Sequence, residues 1–164
     1  MKKYLSIVGG IILAVLLFFA FMFFTKQKRK AIPLVEGLSF GMPAEDTNQL
    51  FGEACKVQPD VGDTGKTMYI YQSEVLGQQA RITCFFTQDD RLTEIHFQWD
   101  DCTSDVYDQA YTCLHGYYSD HRDFFEKTEN EHSVSLGTDN GATGLYYSIY
   151  KDDTSVRITC INLI

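Results

Sequence analysis

The spacing of apolar residues changes period several times along the chain. Tyr4–Phe24, YLSIVGGIILAVLLFFAFMFF, is a run of 21 residues without a charge. As a helix it would be about 31 Å long, matching a bilayer core of roughly 30 Å. The segment GLSFGMPAEDTNQLFG predicts a strand, a turn and a short helix. There Pro43 suits the first helical turn, Glu45 and Asp46 suit the positive end of the dipole, and Gly52 suits the position past its end. From Lys66 the period becomes two: KTMYIYQSEV, a turn at Leu76-Gly77 and QARITCFFTQ predict an antiparallel hairpin. A turn at Asp89-Asp90 leads into RLTEIHFQWD, a further strand with Ile95, Phe97 and Trp99 on one face. Helical spacing returns over Tyr107, Ala110/Tyr111, Leu114, Tyr117/Tyr118, His121 and Phe125, with Ser104 as the cap. EHSVSL, ATGLYYSIYK and SVRITCINLI follow as strands, separated by turns at Asp139-Asn140-Gly141 and Asp152-Asp153.

Arg81-Ile82-Thr83-Cys84 recurs as Arg157-Ile158-Thr159-Cys160, and at the same offset Tyr71 meets Tyr147. That register predicts an internal duplication. The expected architecture is α+β: an N-terminal transmembrane helix followed by two helix-plus-antiparallel-meander units sharing a sheet. Residues 1–30 would be a membrane anchor with basic flanks, 31–35 a linker, and 36–164 the folded domain, with repeat-like units 36–100 and 101–164.

Charge changes the picture once it is divided along the chain. Six of the 14 basic residues precede residue 31, whereas all 22 acidic residues follow it, so the domain carries −14. Such a surface lacks the basic face that replaces phosphate counterions, which excludes nucleic acid as a partner. Around the apolar run, Lys26, Lys28, Arg29 and Lys30 outnumber Lys2 and Lys3, which by the positive-inside rule points the domain inward. The MKK start followed directly by an apolar run has the form of an export signal, and points it outward. The reading adopted is a single-pass protein of the cell membrane, held in the bilayer by Tyr4–Phe24, with an extracytoplasmic C-terminal domain.

Candidate chemistry is sparse. Gly65-Lys66-Thr67 has the ending of a phosphate-binding loop. However, Asp60 stands where the loop's first glycine belongs and MYIY, a strand pattern, follows instead of a helix, so no nucleotide is expected. Cys84 and Cys160 share strand parity with apolar neighbours and read as small buried hydrophobes, a disulfide between them being the alternative. Cys113 and His115, two apart on a helix, point to different faces. His115, His121 and His132 with Asp120 and Asp123 match no ligand spacing, and the paired aspartates fall at turns. No catalytic residue, metal or cofactor is expected. Tyrosines are the remaining signal, since they bury much area at low entropy cost at binding surfaces. Tyr69, Tyr71, Tyr146 and Tyr150 are the candidate partner-binding residues, with packing under helices as the competing role.

Leu38-Ser39-Phe40-Gly41-Met42, the acidic helix start Glu45-Asp46, Leu50-Phe51-Gly52 and the strand RLTEIHFQW resemble the SmpA/OmlA (BamE-like) domain, whose relatives include β-lactamase-inhibitor-protein-like tandem repeats. The resemblance covers residues 36–100. Pro43 and Thr47 depart from that family's usual Ser/Thr and Val, and the lipid-anchor cysteine of its outer-membrane members is missing. The resemblance implies a tandem αβ fold that binds other proteins. The functional expectation is a membrane-anchored, non-catalytic recognition module for another envelope protein. The alternatives are an inhibitor of a secreted enzyme, or a small-ligand sensor or enzyme with an unrecognised site.

Overall fold

The computed structural model describes residues 31–164, apart from 103–104, 122, 131, 140–143, 153 and 164. Helix α1 (Ala44–Phe51) precedes β1 (Lys56–Gln58), β2 (Thr67–Val75), β3 (Gln78–Phe86) and β4 (Leu92–Asp100). Helix α2 (Asp105–Tyr118) precedes β5 (Phe124–Asn130), β6 (Ser133–Asp139), β7 (Gly144–Lys151) and β8 (Ser155–Leu163). All eight strands join one antiparallel sheet in the order β1-β2-β3-β4-β8-β7-β6-β5. At its centre β4 pairs with β8 from Glu94↔Ile161 to Asp100↔Ser155. Backbone groups that would otherwise form an exposed edge are consumed there.

This architecture corrects the expectation of a transmembrane helix followed by two helix-plus-meander units. The described residues are mostly one eight-stranded sheet with two helices, and no helix among them is long and apolar enough to cross a membrane. Tyr4–Phe24, on which the anchor expectation rested, lies outside the described residues. The segment expected as a linker, 31–35, contributes to the core. Ile32 and Leu34 are buried in the core, and the Ile32 N–H donates to the Leu38 carbonyl at 2.8 Å.

Local chemistry accounts for most element boundaries. Leu76 and Gly77 both adopt positive φ, 54° and 74°, as the tight turn between β2 and β3 requires. Pro43 precedes α1 without capping it; the cap comes from the β3–β4 turn, where the Asp90 carboxylate accepts from the Ala44 N–H at 3.1 Å. Helical spacing extends to Phe125 in the sequence, but α2 stops at Tyr118. The Ser119, His121 and Phe124 N–H groups bond to carbonyls three or four residues back, turning the polar run before β5. Ser104, the expected cap of α2, lies outside the described residues.

Both helices cover the same face of the sheet. Phe51 of α1 packs on Tyr71 at 5.5 Å and Tyr118 of α2 on Tyr147 at 5.1 Å. Under them lie Ile82, Cys84, Ile95, Phe97, Trp99, Ile158 and Cys160, all fully buried. The repeated Arg-Ile-Thr-Cys sequence occupies β3 and β8, which flank β4 in identical rows: Ile82↔Phe97↔Ile158 and Cys84↔Ile95↔Cys160. In chain order, however, β8 holds the place of β4, not of β3. The repeat tracks a shared environment on either side of β4.

Candidate recognition surface on the open face of the sheet

In an antiparallel sheet directly opposed residues share a face, so the pairing register assigns every strand residue to the helix-covered face or to the open one. Three rows cross the open face. Met68, Phe85, Glu94, Ile161, Tyr146, Gly137 and Phe125 form the first. Parallel to it run Ile70, Thr83, His96, Thr159, Ser148, Ser135 and Lys127. The third contains Gln72, Arg81, Gln98, Arg157, Tyr150 and Ser133. Apolar and aromatic side chains thus concentrate in one row and long polar ones two rows away.

Gly137 shapes the aromatic end of the first row. A Cβ there would lie 2.9 Å from Phe125 Cε1 and would collide with the Leu145 carbonyl. Its absence lets the Phe125 ring extend over β6 toward Tyr146, with the two rings stacked at 6.5 Å. Tyr146 is held in turn by its hydroxyl, 2.7 Å from Ser135 Oγ. Near the centre of the face, Glu94 receives Lys66 Nζ at 3.3 Å and His96 Nε2 at 2.7 Å, and Phe85 packs on the His96 ring at 5.2 Å.

The four sequence-selected tyrosines separate onto opposite faces. Tyr146 and Tyr150 are on the open face, with Tyr150 40% exposed. Tyr69 and Tyr71 are on the covered one. Tyr71 is fully buried, its hydroxyl donating to Asn48 Oδ1 at 2.9 Å, and burial pushes its pKa far up. Tyr69 meets the Phe86 ring edge-on at 5.1 Å. Burial makes Tyr71 a core residue and not a binding-surface one, while Tyr69 is half-buried against the core on the helix-covered face. Register, which a single strand's pattern does not carry, instead brings Met68, Phe85, Ile161 and Phe125 to Tyr146.

Alternative chemistries find little support in the geometry. Cys84 and His96 project from opposite faces, because Cys84 pairs with Ile95 and His96 with Thr83. Burial raises the Cys84 and Cys160 thiols far above their ordinary values, disfavouring the reactive thiolate. Two interstrand spacings, about 9.6 Å, separate their backbones, beyond disulfide reach. All five cysteines are free. Cys113 donates its S–H to the Pro33 carbonyl, while His115 turns toward Glu126 at 3.6 Å. Among the described residues no three His, Cys, Asp or Glu side chains converge on a metal position. In the Gly65-Lys66-Thr67 segment, the Gly65 N–H is taken by Asp60 Oδ1 at 2.8 Å and the Lys66 ammonium by Glu94. The groups that a phosphate would use are engaged by carboxylates.

No family model matches the chain, and no curated protein matches it. Among solved structures, it is similar to a DUF4309 family protein, YjgB, from Bacillus subtilis subsp. subtilis str. 168. Identity is 16%, the match covers 84% of this chain and 90% of that one, and the TM-score is 0.42. At that score the likeness carries no argument about fold or function.

Proposed function

We propose that the protein is a non-catalytic recognition module that docks another protein on the open face of its sheet. The observation that carries this reading is the row Met68–Phe85–Glu94–Ile161–Tyr146–Gly137–Phe125 on the face opposite both helices, apolar and aromatic at every side chain except Glu94, which Lys66 and His96 engage. Antiparallel sheets that face water on one side usually present alternating polar residues there. A band that departs from this pattern suits a partner's surface, and aromatic rings on a rigid sheet lose little freedom on binding. The placement of Cys84 away from His96 supports the non-catalytic part of the reading.

Photocrosslinking in cells that make the protein tests it directly. A benzophenone amino acid placed at position 146 or 150 is expected to yield a discrete protein adduct, lost when Phe85→Asp is introduced. The same probe at Gln49, exposed on α1, is expected to yield none. Equal crosslinking from Gln49, or none from the open face, would rule the reading out.

A further inference from the structure

Charge is distributed unevenly between the surfaces of this acidic domain. Residues 31–164 contain eight Lys and Arg and 22 Asp and Glu. Four of the eight cations, Lys56, Arg81, Lys127 and Arg157, hold open-face strand positions by register, and Lys66 reaches the same face at Glu94. Only Glu74, Glu94, Asp100 and Asp139 among the acids hold such positions by register. By register the open face thus holds as many cations as acids, in a domain that carries −14. Two of its acids are already engaged: Glu94 by Lys66 and His96, and Asp100 by the Gln98 amide at 2.8 Å.

Among the cations without an ion pair, two share a row. Arg81 and Arg157 stand on either side of Gln98 in one row, both exposed, with no carboxylate of the described residues within 4.0 Å of either guanidinium. Their backbones are two interstrand spacings apart, about 9.6 Å. Arg157 helps to hold the Asp152 carboxyl low through space, without a salt bridge. Guanidinium groups offer paired N–H donors matched to carboxylates. Tyr150 continues the row beside Arg157, and the apolar band runs two rows away.

We propose that the open face recognises an acidic polypeptide, one that sets two carboxylates about 10 Å apart on Arg81 and Arg157 and apolar side chains on the Phe85–Ile161–Tyr146 band. This rests on the docking reading above and gives the partner its chemistry. Charge complementarity selects that partner over a basic one, which the −14 domain would otherwise attract. Repulsion from acids more than about 8 Å away is largely screened at physiological ionic strength; of the nearer ones, Asp100 is held by the Gln98 amide and Asp152 by Thr154 and Ser155. Two lone guanidinium groups on an acidic domain make a poor track for a phosphate backbone.

The test uses the full chain, kept in solution with an uncharged detergent, and a fluorescent random copolymer of Glu and Tyr as probe, read by anisotropy. A Lys–Tyr copolymer and an oligothymidylate are the comparators. Binding of the Glu–Tyr copolymer is expected to weaken with salt and to fall about tenfold or more in Arg81→Gln/Arg157→Gln. Lys151→Gln removes a cation from the covered face, where it sits over the Tyr107 ring, and is expected to leave binding within about twofold. Absence of copolymer binding, indifference to the arginine substitutions, or equal binding of either comparator would overturn the proposal. If Phe85→Ala and Tyr146→Ala weaken binding while the arginine variant does not, the acidic partner is lost and the docking face remains.

Discussion

The hydroxyls of Tyr118 on α2 and Tyr147 on β7 lie 2.6 Å apart in the core, with their rings 5.1 Å apart. Both side chains are fully buried, and burial raises both pKa values far above the ordinary tyrosine range. The pair fastens α2 to the sheet by a directed polar contact in the core. Replacing either tyrosine by phenylalanine removes one partner and leaves the other hydroxyl without that bond, a loss of about 1–3 kcal/mol. Replacing both removes the two buried hydroxyls together with the bond between them. Tyr118→Phe/Tyr147→Phe is therefore expected to cost less than the two single changes combined. Urea unfolding of the four proteins measures this, and strict additivity would show that the hydroxyls act independently.

A second long-range contact holds α1. Its own preceding residue, Pro43, supplies no side-chain cap, and the Asp90 carboxylate, 46 residues distant, accepts from the Ala44 N–H instead. The same turn is tied to the chain before α1: Arg91 Nη1 donates to the Gly41 carbonyl at 3.0 Å, and the Gly41 N–H to the Leu92 carbonyl at 2.8 Å. Asp90→Ala is expected to lower stability by about 1 kcal/mol, in the range of lost helix caps. Asp90 also adopts φ of 54°, which asparagine tolerates well, so Asp90→Asn should retain most of the stability. A thermal melt showing both variants equally destabilised would assign the effect to charge and not to the cap.

How far the sequence could be read depended on distance along the chain. The β2–β3 hairpin and the turns at Leu76-Gly77 and Asp89-Asp90 were legible because alternation and turn chemistry are local. The helix-covered face of β2 was not, since Met68 and Ile70 are as apolar as Tyr69 and Tyr71. Only pairing with β3, together with α1 packing on Tyr71, decides between the two sets. Pairing of β4 with β8 joins residues more than 50 positions apart and leaves no local trace. Candidate-site residues divide the same way. Tyr146 and Tyr150 were found as aromatics, while Phe85, Ile161, Arg81 and Arg157 gained their place from register alone. The end of α2 was misread because Phe125 fits the helical spacing by coincidence. In β5 it faces away from the helices, over Gly137.

The β7–β8 turn carries a pH dependence. Asp152 Oδ1 accepts from the N–H groups of Thr154 and Ser155, and its Oδ2 from the Ser155 hydroxyl at 2.9 Å. The Thr154 N–H, then the Ser155 hydroxyl and N–H, hold its pKa below the ordinary value. Because the folded state keeps this carboxylate ionised more readily, the unfolded chain binds the proton first as pH falls. Its stabilising contribution is thus present above the unfolded pKa and disappears as pH drops through the folded one. Asp152→Asn should be less stable than the parent at neutral pH, with the difference shrinking in acid below the ordinary carboxylate range. Paired urea titrations across that window check it, and a constant difference would remove the linkage.

Gly137 separates two accounts of the aromatic end of the open face. If the glycine served only to seat Phe125, then Gly137→Ala would be relieved by shortening that ring. A Cβ at 137, however, meets the Leu145 carbonyl as well as the ring. Leu145 is in β7, and its neighbour Tyr146 pairs with Gly137, so this carbonyl is held by the sheet and cannot swing aside as a side chain does. Overpacking at such a site typically costs about 1–3 kcal/mol. Gly137→Ala is accordingly expected to lose at least that much, and Gly137→Ala/Phe125→Ala to recover little of it. Phe125→Ala alone, removing a half-buried ring at the sheet edge, should be the mildest of the three. Recovery of parent stability in the double variant, measured by chemical denaturation, would show that the ring and not the β7 backbone sets the requirement for glycine.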